Sequence, residues 1–193
     1  MSRSSMKSTL RLTLIFGCLV YGPGLIADTA ALKISDDALH ANYSVHDSYS
    51  ELSYGAGYFY KDADEAIHIG NLDLHSRGQT AIGNLPTTVE IGIQGNLAHQ
   101  DDLNASAAAL GGSMRVNLPD APGLSLEANA HFAPDVLAFE DAKRFVRAGA
   151  QLNYRIIQSA DLSAGYRYLS TKLKNGEKHT FESGLFLGVE LNF

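Results

Sequence analysis

Apolar and polar residues alternate along most of the sequence after residue 28, and a period of two predicts β-strands. In segment 87–97, one face reads Thr, Val, Ile, Ile, Gly, Leu and the other reads Thr, Glu, Gly, Gln, Asn. Turn-forming residues separate the alternating segments. The ten predicted strands span residues 29–34, 38–45, 50–60, 66–75, 87–99, 105–118, 124–132, 144–156, 161–171 and 181–193. The alternation changes phase near Gly70, which predicts a β-bulge there.

Strands with one apolar and one polar face fit two opposite barrels. A soluble barrel of the lipocalin type points its apolar face inward, whereas a membrane barrel points that face at lipid. Three features favour the membrane barrel, with its apolar face toward lipid. They are strands of ten residues or more, aromatic residues near strand ends, and an alternating last strand that ends on Phe193. The sequence therefore predicts an antiparallel, up-and-down transmembrane β-barrel. Ten strands are favoured, and eight is the alternative because the weak first strand fits a linker equally well.

The first 27 residues have the pattern of a secretory signal peptide. Arg3, Lys7 and Arg11 precede the apolar run 12–20, and small or turn-forming residues lead to Ala27. We predict that residues 1–27 are a signal peptide cut near Ala27, with Ala31 as an alternative, and that residues 28–193 form the barrel. The expected location is therefore the bacterial outer membrane.

Charge and composition limit the kinds of binding partner that we expect. The formal net charge is −6 and the basic residues are scattered, which argues against nucleic acid as a partner. No two of the seven histidines have compact ligand spacing, so we expect neither a metal site nor a cofactor. The expected partners are outer-membrane lipid, lipopolysaccharide and the outer-membrane assembly machinery. Acidic turn residues at 62–65 and 101–102 would attract the divalent cations that bridge lipopolysaccharide.

An even strand count puts both chain ends on the periplasmic side. Segments 133–143 and 170–180 then become outer loops, and segments 119–123 and 158–160 become inner turns. Segment 77–86 is an exception to the rule that inner connections are short. The apolar segment 133–140, which contains Pro134, either folds over the barrel mouth or binds a partner at the cell surface.

Three segments resemble the YfaZ-type outer-membrane proteins of Gram-negative bacteria. They are Ala-Gly-Tyr-Arg-Tyr-Leu at 164–169, Phe-Ala-Pro-Asp-Val-Leu at 132–137 and the closing Gly-Val-Glu-Leu-Asn-Phe at 188–193. The resemblance covers most of the barrel in pattern, with the distinctive motifs in the carboxy-terminal half. It implies a small outer-membrane barrel with no catalytic residues to carry over. We expect Gly188, Leu191 and Phe193 to form the signal that the assembly machinery recognises.

If the apolar faces meet lipid, five acidic and four basic residues line the lumen. This predicted network comprises Glu51, Glu90, Glu127, Glu182, Glu190, Arg115, Arg147, Arg155 and Arg167. Balanced charge suits internal ion pairs, because an unpaired charge in a confined space is costly. We expect Arg147 to pair with Glu182, and both Arg155 and Arg167 to pair with Glu190. Such a network either holds the barrel together or lines a narrow, weakly selective pore.

Catalysis is the remaining class of function. Ser125, Glu127 and His131 lie on one face of a predicted strand, but their spacing matches no hydrolase motif. A rim-active outer-membrane hydrolase is therefore a weak alternative, and we expect that the protein is not an enzyme. A surface-binding or adhesion barrel is the other alternative to a structural or narrow-pore barrel.

Overall fold

The structure is a computed structural model that describes residues 26–47, 50–101 and 103–193. It contains eleven β-strands, almost all at the predicted places. They are β1 Ile26–Ile34, β2 Ala38–Asp47, β3 Leu52–Lys61, β4 Ile67–Ile82, β5 Leu85–Gln100, β6 Leu103–Asn117, β7 Leu124–Ala133, β8 Ala138–Glu140, β9 Ala142–Ile157, β10 Ala160–Leu173 and β11 Lys178–Asn192. A short 3-10 turn, Asp135–Leu137, joins β7 to β8.

The strands close into one antiparallel barrel. From β1 to β7 each strand pairs with the next, β7 pairs with β9, and β9 to β11 pair in order. The barrel closes where β1 pairs with β11, as at Thr29 and Asn192. Strands β7 and β8 both pair with β6 and run in the same direction, so together they occupy one position in the wall. The barrel therefore has ten strand positions. The predicted antiparallel barrel is confirmed, and the eight-stranded alternative is wrong because β1 pairs on both sides.

The wall is apolar outside and polar inside over much of its height. Leu72, Ile91, Leu97 and Leu185 point outward and are exposed, whereas Asn153 and other polar residues in the opposite phase are buried. This is the inside-out pattern of a transmembrane barrel, whose outer surface lies in lipid. Within the described residues, no helix is long and apolar enough to cross a bilayer.

The two ends of the barrel serve as reference points for the lumen. The Phe193 rim is the end where β1 begins, β2 ends, β3 begins and β11 ends, and where turns join β4 to β5, β6 to β7, and β9 to β10. The opposite rim carries the turns at 35–37, 62–66 and 174–177, the end of β5, the start of β6, and Asp141 between β8 and β9.

Strand β4 differs from two of the predictions. It pairs with β3 and β5 without a register shift, so the predicted bulge near Gly70 is wrong. The strand also continues through the segment predicted as a connection, and β4 and β5 form a hairpin that turns at Gly83, where φ is +62°. The phase change near Gly70 has another cause: the inward side chains change there from Asn71 to Ile69, from polar to apolar.

Segment 133–140 lies within the barrel wall. After β7, the 3-10 turn displaces Val136 outward, where it is 80 % exposed, and β8 then resumes pairing with β6. The predicted outer loop at 133–143 is therefore wrong, and the segment does not fold over the barrel mouth. Leu137 packs against the buried apolar residues inside the wall.

Most of the predicted signal peptide lies outside the described residues. Strand β1 begins at Ile26, so both candidate cleavage points, Ala27 and Ala31, fall within it. A cut after Ala31 would remove Thr29, whose hydroxyl donates a hydrogen bond to the Asn192 side chain at 3.2 Å. Pairing between the first and last strands therefore favours the cut near Ala27.

Candidate functional site: the lumen

The lumen near the opposite rim is filled with apolar side chains. Phe59, Phe145 and Phe181 come from three different strands and are almost fully buried. Further buried residues complete this apolar plug: Ala38, Ile67, Ile69, Ala98, Ala105, Ala107, Ala109, Ala133, Ala138, Ala142 and Leu169. Because the packed side chains come from strands all around the barrel, the plug closes this part of the lumen.

The lumen near the Phe193 rim holds a polar cavity of about 360 Å³, the chamber. Asp28, Thr88 and Phe193 line its mouth, while Arg147, Arg167 and Phe186 lie deeper. No residue of the plug is among the described residues that line it. The chamber is therefore open at the Phe193 rim and ends at the plug.

Arg115 organises one wall of the chamber. Its guanidinium contacts Glu127 Oε2 at 2.7 Å and Glu190 Oε1 at 2.9 Å, with Asp161 Oδ2 at 3.8 Å. The amides of Gln151 and Asn153 also donate to Glu127, at 3.4 and 3.3 Å. One cation thus bridges two carboxylates from β7 and β11, on distant parts of the wall, and faces a third from β10.

Arg167 lies where the chamber meets the plug and lacks such partners. Its guanidinium stacks over the rings of Phe59 and Phe186, with distances of 5.1 and 5.3 Å to the ring centres. The residue is only 6 % exposed, and none of its three side-chain nitrogens has a hydrogen-bond partner among the described residues. The nearest carboxylate oxygen is Glu182 Oε1 at 4.0 Å, and Glu182 itself accepts a hydrogen bond from Ser35 at 3.1 Å.

Two further cations line the chamber and donate to neutral groups. Lys33 Nζ donates to Gln151 Oε1 at 2.7 Å and lies 5.1 Å from the centre of the Phe186 ring. Arg147 donates to Gln94 Oε1 at 3.2 Å and contacts the His40 ring nitrogen Nε2 at 3.2 Å. Lys33, Arg147 and Arg167 thus lie near one another in the chamber.

Two histidines meet across a pair of glycines. His75, Gly92, Gly111 and His131 are in register on four adjacent strands, β4 to β7. Since neither glycine has a side chain, the two rings lean over them, and their Nε2 atoms lie 3.0 Å apart. Glu127 binds Arg115 and His131 contacts His75, so Ser125, Glu127 and His131 form no Ser-His-acid hydrogen-bond chain among the described residues.

The structure brings several of the predicted network residues together, but in different pairs. Arg115, Glu127 and Glu190 form one cluster, and Arg167 faces Glu182 instead of Glu190. Arg147 contacts Gln94 and His40 in place of the expected Glu182. The ion pairs predicted from the sequence were wrong because side chains that meet inside a barrel can come from strands far apart in the chain.

Three members of the predicted network lie toward the Phe193 rim of the barrel. Glu51 is wrong as a lumen residue, because it is exposed in the turn before β3, with φ of +53°. The Arg155 side chain is 56 % exposed at the Phe193 rim, where its Nε lies 3.2 Å from Asp161 Oδ1. Glu90 contacts His46 Nε2 at 3.4 Å and Arg77 Nε at 3.8 Å near the same rim.

The residues of the predicted assembly signal lie on the closing strand. Phe193 is 62 % exposed, and its backbone N–H donates to the Asp28 carbonyl at 2.9 Å. Leu191 points outward in the same phase as Val189 and Leu187. Gly188 lies against Ser163 and Lys33, where a β-carbon would clash with both.

Sequence reasoning missed three residues that matter in the lumen: Lys33, Asp73 and Asp161. Each lies in the same alternation phase as a predicted lumen residue or a polar neighbour, so phase alone could have identified them. The Asp73 carboxylate accepts from the side-chain amides of Asn71, at 2.7 Å, and Gln94.

The chain is similar to several solved membrane proteins, each at low sequence identity. Distant structural similarities include the KdgM porin in complex with disordered oligogalacturonate, at 9 % identity and a TM-score of 0.46 over 86 % of this chain and 99 % of that one. Another is the translocator domain of the autotransporter NalP from Neisseria meningitidis, at 18 % identity and a TM-score of 0.39 over 89 % and 76 % of the two chains.

A third similarity is to the outer membrane channel DcaP of Acinetobacter baumannii, at 10 % identity and a TM-score of 0.41 over 90 % of this chain and 60 % of that one. No curated protein matches the sequence. The family model described as YfaZ precursor matches residues 34–193, which include β2 to β11 in full. The chain therefore belongs to the YfaZ family.

Proposed function

We propose that this chain is a structural barrel of the bacterial outer membrane whose lumen is closed in its resting state. The observation that carries the proposal is the apolar plug: Phe59, Phe145 and Phe181 fill the lumen where a porin would need an aqueous path. The outward apolar surface supports insertion in a bilayer, and barrels of this kind span bacterial outer membranes.

The proposed orientation follows from the even number of strand positions. With the Phe193 rim in the periplasm, the chamber opens inward and the plug lies in the outer half of the membrane. The acidic turns at 62–65 and near Asp101 would then face lipopolysaccharide and its bridging cations. The assembly machinery would recognise the closing strand with Gly188, Leu191 and Phe193. No step of this proposal requires catalysis, a cofactor or a metal.

Planar-bilayer conductance tests the closed lumen. We expect no reproducible current steps from the refolded wild-type protein, and steps from the combined variant Phe59→Ser, Phe145→Ser, Phe181→Ser, because three polar, small side chains would let water into the plug. The outward Phe139→Ser substitution is the matched control and should remain silent. Steps of equal size and frequency from the wild type and the combined variant would contradict the proposal.

Folding must be checked in the same samples, since the combined variant loses much of its core. Heat-modifiable migration on a gel reports a closed barrel before each recording. Where the combined variant does not fold, single Phe145→Ser takes its place. Cell fractionation tests the location: the folded band should appear in the outer-membrane fraction, and recovery in the soluble periplasm would contradict it.

A narrow pore is the second candidate, and the chamber favours it. Charged side chains already line a cavity of about 360 Å³ that is open at one rim. Conduction would need the plug side chains to move, so a pore would show as rare, brief steps from the wild type that become frequent in Phe145→Ser.

A further inference from the structure

We propose that the deep end of the chamber is a binding site for a small oxyanion, a carboxylate or a phosphate. The cations that would hold it are Arg167, Lys33 and Arg147, and the site is reached from the Phe193 rim. The inference needs only the barrel and its chamber, and it holds in either orientation in the membrane.

The first argument is the state of Arg167. A guanidinium carries five N–H donors, and a buried one is stable only when those donors and its charge have partners. Here all three nitrogens lack a hydrogen-bond partner among the described residues, and the closest carboxylate oxygen is 4.0 Å away. The stacked rings of Phe59 and Phe186 hold the group in place but accept no hydrogen bond in its plane. A planar donor set of this kind fits two oxygens of one oxyanion.

The second argument is the distribution of charge around it. Lys33 and Arg147 are close enough to Arg167 for the like charges to repel one another. Both donate hydrogen bonds to the neutral amides of Gln151 and Gln94. The carboxylates of Glu127 and Glu190 also face Lys33, but Arg115 already engages them at 2.7 and 2.9 Å. Asp73 faces Arg147, and its carboxylate also accepts hydrogen bonds from the side-chain amides of Asn71 and Gln94. Arg167 and Lys33 therefore carry most of the positive charge that is available to a ligand.

The third argument is space. Arg167 is in register with Gly149 on β9 and Gly184 on β11, so its neighbours on both strands lack side chains. A β-carbon at Gly184 would meet only Glu182 Oε1, at 3.7 Å. The chamber volume of about 360 Å³ also lies within the range of roughly 300–1,000 Å³ that is usual for small-ligand sites.

Isothermal titration of the refolded barrel in detergent micelles tests the site, with inorganic phosphate and acetate as probes in a buffer free of other oxyanions. We expect saturable binding of at least one probe at one site per chain. Arg167→Met should weaken that binding at least tenfold. Arg155→Met is the matched control, because it removes an arginine from the rim of the same barrel, and it should leave the affinity unchanged.

A second pair of variants separates charge from folding and from space. Gly184→Asp places a carboxylate beside Arg167 and should abolish binding of the added probe, whereas the neutral Gly184→Asn should retain most of it. Lys33→Met should weaken binding by a smaller factor than Arg167→Met. Each variant is titrated only after heat-modifiable migration shows a closed barrel.

The outcomes decide the proposal. Absence of binding by both probes, or binding that Arg167→Met leaves unchanged, would overturn it. Equal losses in Arg167→Met and Arg155→Met would also overturn it, since they would indicate that the anion is attracted to any arginine and not to this site. If the wild type gives no current steps and binds phosphate specifically, both the closed barrel and the site are supported. If it conducts and still binds specifically, only the closed barrel is contradicted.

Discussion

The apolar plug and the polar chamber are built from the same strands, yet they place opposite demands on the sequence. Strand β9 supplies Phe145 to the plug and Gln151 to the chamber. Strand β11 supplies Phe181 and Glu190, and a register shift beside Glu182 lets both point inward although they are in opposite phases of the alternation. Alternation decides only whether a side chain points in or out. Position along the barrel axis then decides whether the inside is dry or wet.

The plug and the chamber are therefore stabilised in different ways. Plug side chains need volume and apolar surface, and they make no demand for hydrogen-bond partners. Chamber side chains are held by specific partners, as Arg115 is by Glu127 and Glu190. Truncation in the plug should therefore act through lost volume, whereas truncation in the chamber should act through the partner that is left behind.

Truncation of the plug should give the largest effect. Phe145→Ala removes a ring that is almost fully buried, and such changes in protein cores cost about 3–5 kcal/mol in free energy of unfolding. Urea unfolding of the barrel folded into lipid vesicles measures the loss.

The matched control for the plug lies at the level of the chamber. Ser163→Ala removes a buried hydroxyl that has no hydrogen-bond partner among the described residues, so stability should stay the same or rise slightly. A loss for Phe145→Ala no greater than that for Ser163→Ala would mean that the plug is not a packed core.

Removal of the central chamber cation should give the second-largest effect. Arg115→Met leaves Glu127 and Glu190 close together without their shared partner. Because 27 % of the arginine side chain is exposed, we expect a loss of about 2–3 kcal/mol, below the ~3–5 kcal/mol of a fully buried pair. The same unfolding measurement applies, and a further Glu190→Gln change should recover part of the loss.

Arg155→Met is again the matched control, because its ion pair with Asp161 lies at the rim and the arginine is 56 % exposed. Its partner Asp161 is only 4 % exposed, but Arg115 still faces Asp161 at 3.8 Å once Arg155 is removed. We therefore expect a loss of about 1 kcal/mol, below that of Arg115→Met. Equal losses for the two arginine variants, or no recovery with Glu190→Gln, would show that Arg115 does not act by bridging carboxylates.

The barrel could be predicted from the sequence because alternation is a local signal. The ten strand positions, the closing pair and the inward phase of Arg147 and Arg167 all follow from a period of two. The sequence also contained a sign of the division between plug and chamber. Near Gly70 the inward residue changes from the polar Asn71 to the apolar Ile69, which lies closer to the opposite rim. This change was misread as a bulge because a change of lumen chemistry and a register shift leave the same trace in one strand.

The ion pairs could not be predicted, for a geometric reason. Arg115 and Glu190 come from β6 and β11, which do not pair with each other, and they meet only because long side chains cross the lumen. Sequence phase places a residue inside, but the contact across a barrel depends on its diameter and shear. The contact between Lys33 and Gln151 could not be predicted for the same reason, since the two residues lie 118 positions apart in the chain.

A glycine in the lumen should give the smallest effect and tests how tightly the chamber wall is built. A β-carbon at Gly149 would lie 3.2 Å from the Tyr166 carbonyl oxygen and 3.3 Å from the Asn129 side chain, so Gly149→Ala should cost about 1 kcal/mol, at the low end of overpacking losses. The matched control is Gly70→Ala on the lipid-facing side, where nothing lies within 4 Å of a new β-carbon. That variant should be neutral or slightly stabilising, because glycine within a strand is unfavourable by roughly 0.5–1 kcal/mol relative to alanine. Equal stability of the two variants would indicate that the chamber wall adapts to added volume, and that only the plug is packed as a core.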